Sequence, residues 1–283
     1  GNDQVRFETA VAALAPELAV LAPVRDWGMT REEEIGYAHR HGIEVPVKSG
    51  AAYSIDQNLW GRSIEAGPLE DPWLEPPEEA FALTLAPERA FHAPQVVEVG
   101  FDAGIPVAVD GAELGLVDLI GRAAALAGAH GVGRIDMIEN RLVGIKSREV
   151  YETPAAALLL PAYAGVEELV SDRDLAHQKA ELAQRYATLV YNGLWYSPLR
   201  RALDAFMAET AAAVTGAARV KLYRGSARVV GRRAAGALYD HGLATYEQGD
   251  SFQHSAAAGF IHIWSLPSKT WAAAARVAEG APA

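Results

Sequence analysis

The chain has 283 residues, half of them hydrophobic, and carries a formal net charge of −11 with an isoelectric point of about 5.2. This length suffices for one large domain or two smaller ones. The acidic balance argues against a nucleic-acid-binding protein, which usually presents a basic stripe. The absence of cysteine excludes disulfides, thiolate catalysis and cysteine-ligated metals. No run approaches the ~18 apolar residues of a membrane span, and no signal-peptide pattern is seen, so we expect a cytoplasmic protein.

The first part of the chain predicts a helix, a short strand and a second helix. Apolar residues at helical spacing predict a helix over residues 4–15. Residues 18–24 form an apolar run of strand length between two prolines. Residues 30–33 have the Thr-x-x-Glu pattern of a capping box, and the helix that follows should end at Gly42. This order predicts the trailing part of a parallel α/β domain over residues 1–47, whose sheet would need further strands from outside the chain.

The remainder predicts a larger α+β domain over residues 48–254 and an apolar tail over residues 255–283. A Pro-rich, acidic segment at residues 66–94 should form an irregular cover, and Arg224-Gly225-Ser226 should close a hairpin. The predicted strands are 96–101, 107–109, 134–138, 142–146, 220–223 and 227–230, and the predicted helices are 115–127, 154–170, 172–191 and 197–215. The tail is rich in large apolar groups and needs a surface to cover it.

Several motifs occur in one order along most of the chain. They are Gly1-Asn2-Asp3-Gln4-Val5-Arg6-Phe7-Glu8, Tyr53-Ser54-Ile55-Asp56-Gln57-Asn58-Leu59-Trp60, Leu69-Glu70-Asp71-Pro72-Trp73, His130-Gly131-Val132-Gly133-Arg134, Glu139-Asn140-Arg141, residues 144–152 and residues 189–196. In order and spacing these motifs resemble the argininosuccinate synthase family. The chain departs from that family at its front, because the family's Ser-Gly-Gly-Leu-Asp-Thr-Ser loop, which grips ATP pyrophosphate, is absent from the sequence.

The resemblance implies a ligase of arginine biosynthesis that condenses citrulline with aspartate. The citrulline ureido oxygen would attack the α-phosphate of ATP to give a citrullyl-adenylate, and the aspartate amine would then displace AMP. ATP would be a co-substrate with Mg²⁺ as its counter-ion, without a tightly bound cofactor. Because the ATP loop is absent, we expect the chain by itself to make no argininosuccinate and to need that segment, for example on a separate chain.

The resemblance also implies the organisation of the molecule. Residues 1–47 would be the remnant of a parallel-sheet nucleotide-binding domain, residues 48–254 an α+β synthetase domain, and residues 255–283 a helical oligomerisation arm of a homotetramer. For the arm, packing back onto its own domain stays open as the alternative.

The resemblance places citrulline contacts at Asn2, Arg6, Ser54, Ser63, Glu139 and Tyr151, and aspartate contacts at Asn2 and Asp3. The residue types suit this chemistry. An amide offers both a donor and an acceptor, and a guanidinium can grip a substrate carboxylate with two hydrogen bonds. Asp3 can hold the aspartate ammonium and take up a proton as that amine becomes a nucleophile, so it is the candidate catalytic residue. Glu139 would pair with the citrulline ammonium.

Each of these residues also has an ordinary structural interpretation. Asn2 and Asp3 are preferred helix N-caps, and Arg6 can form a surface salt bridge of little energetic value. The two serines suit turns, Glu139 suits an exposed hairpin turn, and Tyr151 suits a half-buried strand. No metal site is predicted, since the chain has no histidine or cysteine at ligand spacing beyond His39 and His41. Two other functions stay open: a non-catalytic amino-acid-binding and assembly module of the same fold, and a secondary-metabolism ligase that joins another amine to a citrulline-like acid.

Overall fold

A computed structural model describes residues 2–44, 53–247 and 249–278. The chain divides into two compact units, Gly1–Leu238 and Tyr239–Ala283. The three-part division expected from the sequence stays a prediction. Within the described ranges no helix is both long enough and apolar enough to cross a membrane.

The first unit contains seven α-helices and nine strands among its described residues. The helices are α1 (Asn2–Leu14), α2 (Pro23–Trp27), α3 (Arg31–Arg40), α4 (Leu116–Ala129), α5 (Pro154–Val170), α6 (Arg173–Tyr191) and α7 (Pro198–Ala211). The strands are β1 (Ser54–Gln57), β2 (Arg62–Glu65), β3 (Gln95–Asp102), β4 (Ile105–Val109), β5 (Ala112–Glu113), β6 (Arg134–Asn140), β7 (Lys146–Glu152), β8 (Gly216–Tyr223) and β9 (Ser226–Arg233). Every strand pairing is antiparallel.

The capping box predicted at the start of α3 is confirmed. The Thr30 hydroxyl accepts from the Glu33 backbone N–H at 3.4 Å, and the Glu33 carboxylate accepts from the Thr30 backbone N–H at 2.8 Å. These two bonds satisfy donors that a helix start leaves without partners. The helix ends at Arg40, and Gly42 follows with a φ of 65° in the left-handed region that glycine adopts at little cost.

The strand predicted at residues 18–24 is wrong. Residues 23–27 form α2, and the Leu18 and Leu21 side chains are exposed. A strand is stabilised by a neighbouring strand, and none lies within described residues 2–44. The two flanking prolines also lack the N–H that a ladder would use. The local helix–strand–helix order is therefore replaced by three helices.

The main core lies under a five-stranded sheet of order β5-β4-β3-β8-β9. The alternation predicted for β3 is confirmed, because Val97, Val99 and Phe101 are all buried on one face. Helices α4 and α5 cover that face and contribute buried residues such as Leu119 and Leu158. These side chains form a single hydrophobic cluster that fixes the position of both helices.

A smaller four-stranded sheet of order β1-β2-β7-β6 carries the candidate site. On one face, Ile64 and Val150 pack against Leu69 and Ala80 of the irregular segment. That segment was predicted to be an irregular cover, and it contains only two short 3₁₀ turns, Gly67–Glu70 and Glu78–Ala80. The opposite face of the sheet, the open face, carries Ser63 and Tyr151, which are each partly exposed.

The strand predicted at residues 142–146 is also wrong, since β7 begins only at Lys146. Residues 141–145 form the tip of the β6–β7 hairpin, where the Gly144 N–H donates to the Arg141 carbonyl at 2.9 Å. Gly144 has a φ of 89°, which breaks the extended conformation. The apolar character of the segment suggested a strand, but its glycine makes it a turn.

The second unit contains α8 (His241–Ala244), α9 (His254–Trp264) and α10 (Leu266–Ala278). None of the described residues in α9 and α10 is buried. Phe260 and Trp264 stack on each other with ring centroids 5.6 Å apart, yet both stay exposed. The tail is therefore helical and presents a large apolar surface, while its role in oligomerisation stays a prediction.

Candidate functional site

A cleft of about 810 Å³ lies between the start of α1, the open face of the four-stranded sheet and the end of α6. It is lined by Asn2, Asp3, Gln4, Arg6, Phe7, Asp56, Asn58, Ser63, Glu65, Glu139, Arg141, Glu149, Tyr151 and Tyr191. All the candidate site residues proposed from the sequence, except Ser54, line this one cleft. Residues more than a hundred positions apart are thus brought together.

Strand register explains which sheet residues reach the cleft. Ser63 of β2 lies directly opposite Tyr151 of β7 and opposite Asp56 of β1. Directly opposed residues share a face, so these three side chains belong to the open face. Ser54 pairs with Glu65 and shares the same face, but it does not line the cleft. Its proposed contact with citrulline stays a prediction.

Glu139 accepts hydrogen bonds from two phenols. The Tyr151 hydroxyl donates to Glu139 Oε1, and the Tyr191 hydroxyl donates to Oε2 at 2.8 Å. Burial, and next the bond to Glu139, raises the pKa of both phenols above the ordinary value. Both tyrosines therefore stay protonated at neutral pH and act as donors. An ionised carboxylate has about four acceptor positions, so Glu139 keeps capacity for a cationic ligand.

Asn2 uses both ends of its amide to join distant elements. Its Nδ2 donates to the Tyr191 hydroxyl at 2.8 Å, and its Oδ1 accepts from the Leu142 backbone N–H at 3.1 Å. The side chain is mostly buried. These contacts fix α1 against the β6–β7 hairpin and α6. One amide hydrogen and one oxygen lone pair are left for a ligand.

Arg6 is held in the cleft by its neighbours on two sides. Its Nε donates to the Tyr191 carbonyl at 3.0 Å, its Nη1 donates to Asp3 at 2.9 Å, and its guanidinium lies 4.9 Å from the Tyr191 ring centroid. The predicted salt bridge is present but exposed, so it adds little stability. Gly193 permits the close approach, because a Cβ there would lie 2.9 Å from the Arg6 Cα. The remaining guanidinium N–H groups are available for a carboxylate.

A charged cluster at one side of the cleft was not assigned a role from the sequence. Arg141 Nη2 lies 2.5 Å from both Glu65 Oε2 and Glu149 Oε1, and Arg141 Nε donates to Ser147 at 2.6 Å. Burial raises the pKa of Glu149, partly opposed by Arg141, while the carboxylates raise the pKa of Arg141. Arg141 belongs to the motif Glu139-Asn140-Arg141, and Ser147 and Glu149 belong to the motif at residues 144–152. Neither motif by itself indicates that the turn between them brings these side chains together.

The cleft carries an excess of negative charge. Five carboxylates line it, against two guanidinium groups, and each guanidinium already pairs with at least one of those carboxylates. Such a cleft favours ligands with ammonium groups. No group of three or more His, Asp or Glu side chains that could hold a metal ion occurs in the part of the chain that the structure describes.

The cleft of this antiparallel α+β domain is acidic and lined by phenols, a setting suited to ligands that bear ammonium groups. The chain matches the family model for the arginosuccinate synthase C-terminal domain over residues 53–271 and the model for its N-terminal HUP domain over residues 1–44. The chain therefore belongs to the argininosuccinate synthase family, whose members are ATP-dependent ligases.

Bacterial relatives agree with this assignment. The chain is 57% identical over 272 residues to the argininosuccinate synthase of Rubrobacter xylanophilus, a match covering 96% of the chain and 66% of that protein. It is 59% identical over 273 residues to that of Symbiobacterium thermophilum, covering 96% of the chain and 68% of that protein. The chain thus spans about two thirds of the length of the curated relatives it matches.

Proposed function

We propose that the cleft binds the two amino-acid substrates of a ligase that condenses citrulline with aspartate through a citrullyl-adenylate. The observation that carries this proposal is Glu139, a carboxylate oriented by two phenols within an acidic cleft. The family name of the relatives supports the synthase over a non-catalytic module or a ligase for another amine. No feature of the cleft favours either of those alternatives.

Citrulline would lie along the open face of the four-stranded sheet. Its ammonium group would pair with Glu139 and contact Ser63 and Tyr151, while its carboxylate would take the unused N–H groups of Arg6. Fixing the ammonium and the carboxylate on the α-carbon would direct the neutral ureido group, at the other end of the molecule, towards the nucleotide. Ser54 would contribute at the outer end of the same face.

Aspartate would bind at the start of α1. Asp3 has an exposed carboxylate beside Arg6, suited to an incoming ammonium. The free hydrogen of the Asn2 amide would reach a substrate carboxylate, and its free lone pair would reach the ureido group. Asp3 would then accept a proton as the amine attacks the adenylate, which is a general-base role.

We also propose the wider setting of this site. Residues 1–47 would belong to a nucleotide-binding domain, residues 48–254 to the synthetase domain, and residues 255–283 to an arm within a cytoplasmic homotetramer. ATP would be the co-substrate, and Mg²⁺ would arrive with its phosphates as their counter-ion.

Titration calorimetry on the 283-residue chain tests the amino-acid site. Citrulline and N-acetylcitrulline differ in the ammonium that Glu139 would hold. A hydrogen bond to a charged group contributes about 1.5–3 kcal/mol, so we expect citrulline to bind about ten- to hundredfold more tightly. Equal affinities, or no citrulline binding at millimolar concentration, would contradict the proposal.

A further inference from the structure

Three separate parts of the chain meet at Tyr191, the last residue of α6. Its hydroxyl donates to Glu139 of β6 and accepts from Asn2 of α1. Its backbone carbonyl accepts from Arg6 at 3.0 Å, and its ring lies beneath the Arg6 guanidinium. One phenol hydroxyl therefore joins a residue of the citrulline pocket to a residue of the aspartate pocket.

We propose that Tyr191 is a positioning residue that holds Glu139 and Asn2 in their binding orientations at the same time. This inference rests on the proposed function of the cleft. Tyr191 acts through these two neighbours, because its single proton is given to Glu139 and a lone pair is taken by Asn2. It contributes orientation to both amino-acid sites.

The geometry shows what the hydroxyl provides. A carboxylate held by Tyr151 alone can turn about its terminal torsion, which is broad for Glu. A second phenol on the other oxygen removes that freedom. Likewise, the Asn2 amide is fixed at both ends only while the Tyr191 hydroxyl is present. Pre-organised groups bind more tightly because less rotational freedom is lost on binding.

The residue's position also gives a specific consequence for the two substrates. A group that touched only citrulline would change citrulline affinity alone. Since Tyr191 contacts Asn2 as well as Glu139, loss of the hydroxyl should weaken the binding of aspartate as well as that of citrulline. The effect on each should be smaller than that of removing the directly binding charge.

The test compares Tyr191→Phe with Tyr186→Phe. Both tyrosines are on α6, and the Tyr186 hydroxyl donates to Asp204 at 2.8 Å, outside the cleft lining. The first change keeps the ring under Arg6 and removes only the hydroxyl. We expect Tyr191→Phe to weaken citrulline and aspartate about three- to tenfold, which corresponds to a typical single hydrogen bond, and Tyr186→Phe to leave both affinities unchanged.

A second readout separates positioning from general loosening of the fold. The preference for citrulline over N-acetylcitrulline should become smaller in Tyr191→Phe without vanishing, while the thermal midpoint falls no further than in Tyr186→Phe. In the Glu139→Gln background, adding Tyr191→Phe should lower the affinity for citrulline much less than it does in the native chain, because the two residues act as one unit.

If the native chain prefers citrulline but Tyr191→Phe binds both amino acids unchanged, or if the two changes add fully, the positioning role is overturned while the proposed function stands. If the native chain shows no preference for citrulline over N-acetylcitrulline, the proposed function fails, and this inference fails with it.

Discussion

At the residue scale, the proposed citrulline site depends on the charge of Glu139. Glu139→Gln keeps the shape of the side chain and removes the charge. We predict that citrulline affinity falls about ten- to hundredfold, because a hydrogen bond to a charged group is lost, while aspartate affinity changes less. Tyr151→Phe should weaken the affinity for citrulline less than Glu139→Gln does, because it removes one hydroxyl and leaves the carboxylate charge in place. Titration calorimetry with each amino acid measures both effects.

The matched control for that change is Glu113→Gln. Glu113 is an exposed carboxylate on β5, in the other sheet, so the same loss of charge there should leave both affinities unaltered. Equal small effects of Glu139→Gln on citrulline and aspartate would leave Glu139 as a partly buried strand residue that binds two phenols, without a role in citrulline recognition.

His130 gives a prediction about pH. The side chain is buried, its Nε2 lies 3.2 Å from Gln95 Oε1, and its Nδ1 has no hydrogen-bond partner in the described chain. Burial lowers the pKa of His130 in the folded state. The unfolded chain therefore binds a proton more readily, and stability present above the ordinary value of ~6.5 should be lost as the pH falls below it.

Urea unfolding at pH 7.5 and pH 5.5 measures that loss. We expect the native chain to lose more stability over this interval than His130→Gln, which cannot titrate there. His262→Gln, at an exposed position on α9, should behave like the native chain. An identical pH dependence in the native chain and His130→Gln would contradict the prediction.

At the element scale, Glu152 anchors the irregular segment to the four-stranded sheet. This fully buried carboxylate accepts backbone N–H groups from Ala82, Leu83 and Thr84 at 2.7–2.9 Å and pairs with Arg62 at 2.9 Å. Removing one partner of a buried, hydrogen-bonded ion pair typically costs about 3–5 kcal/mol. We therefore predict that Glu152→Ala lowers the free energy of unfolding by about that amount.

The measurement is urea unfolding, with exposed Glu113→Ala as the control for loss of a carboxylate at the surface. Faster proteolysis within residues 66–94 should accompany the change, because the carboxylate binds that segment directly. A loss of stability below about 0.5 kcal/mol, the usual range for surface substitutions, would show that Glu152 does not anchor the segment.

Element types were predictable from sequence where the signal is local. The capping box at Thr30 and the alternation of β3 depend on neighbouring residues, and both were predicted. The strand predicted at residues 18–24 is wrong because a strand depends on a partner strand that local sequence does not specify. The strand predicted at residues 142–146 is wrong because Gly144 adopts a backbone conformation that forms a turn, which the apolar pattern does not indicate.

The candidate site shows the same division. Motifs indicated Glu139, Tyr151 and the α1 residues, and the structure brings them into one cleft. The contacts of the Tyr191 hydroxyl could not be predicted from local sequence. They join it to Asn2, which is 189 positions away, and to Glu139, which is 52 positions away. The contact between Arg141 and Glu65 likewise spans 76 positions. Such contacts arise from the packing of whole elements.

At the scale of the whole molecule, the C-terminal helices present apolar groups that their own described unit does not bury. Phe260, Trp264 and Trp271 are each exposed by more than 60%. Surfaces of this kind usually mark an interface. We predict that deleting residues 255–283 gives smaller and less soluble species, measured by light scattering. Unchanged mass and solubility would instead indicate that the arm packs on its own domain.

The proposed binding mode of the cleft places the ammonium group of citrulline on Glu139. A crystal structure of the chain grown with citrulline tests it most directly. We predict citrulline between α1 and the four-stranded sheet, with its ammonium nitrogen about 2.7–3.0 Å from a Glu139 carboxylate oxygen, the usual length of a charge-assisted hydrogen bond. Citrulline bound elsewhere, or bound in the cleft with its ammonium away from Glu139, would contradict the account.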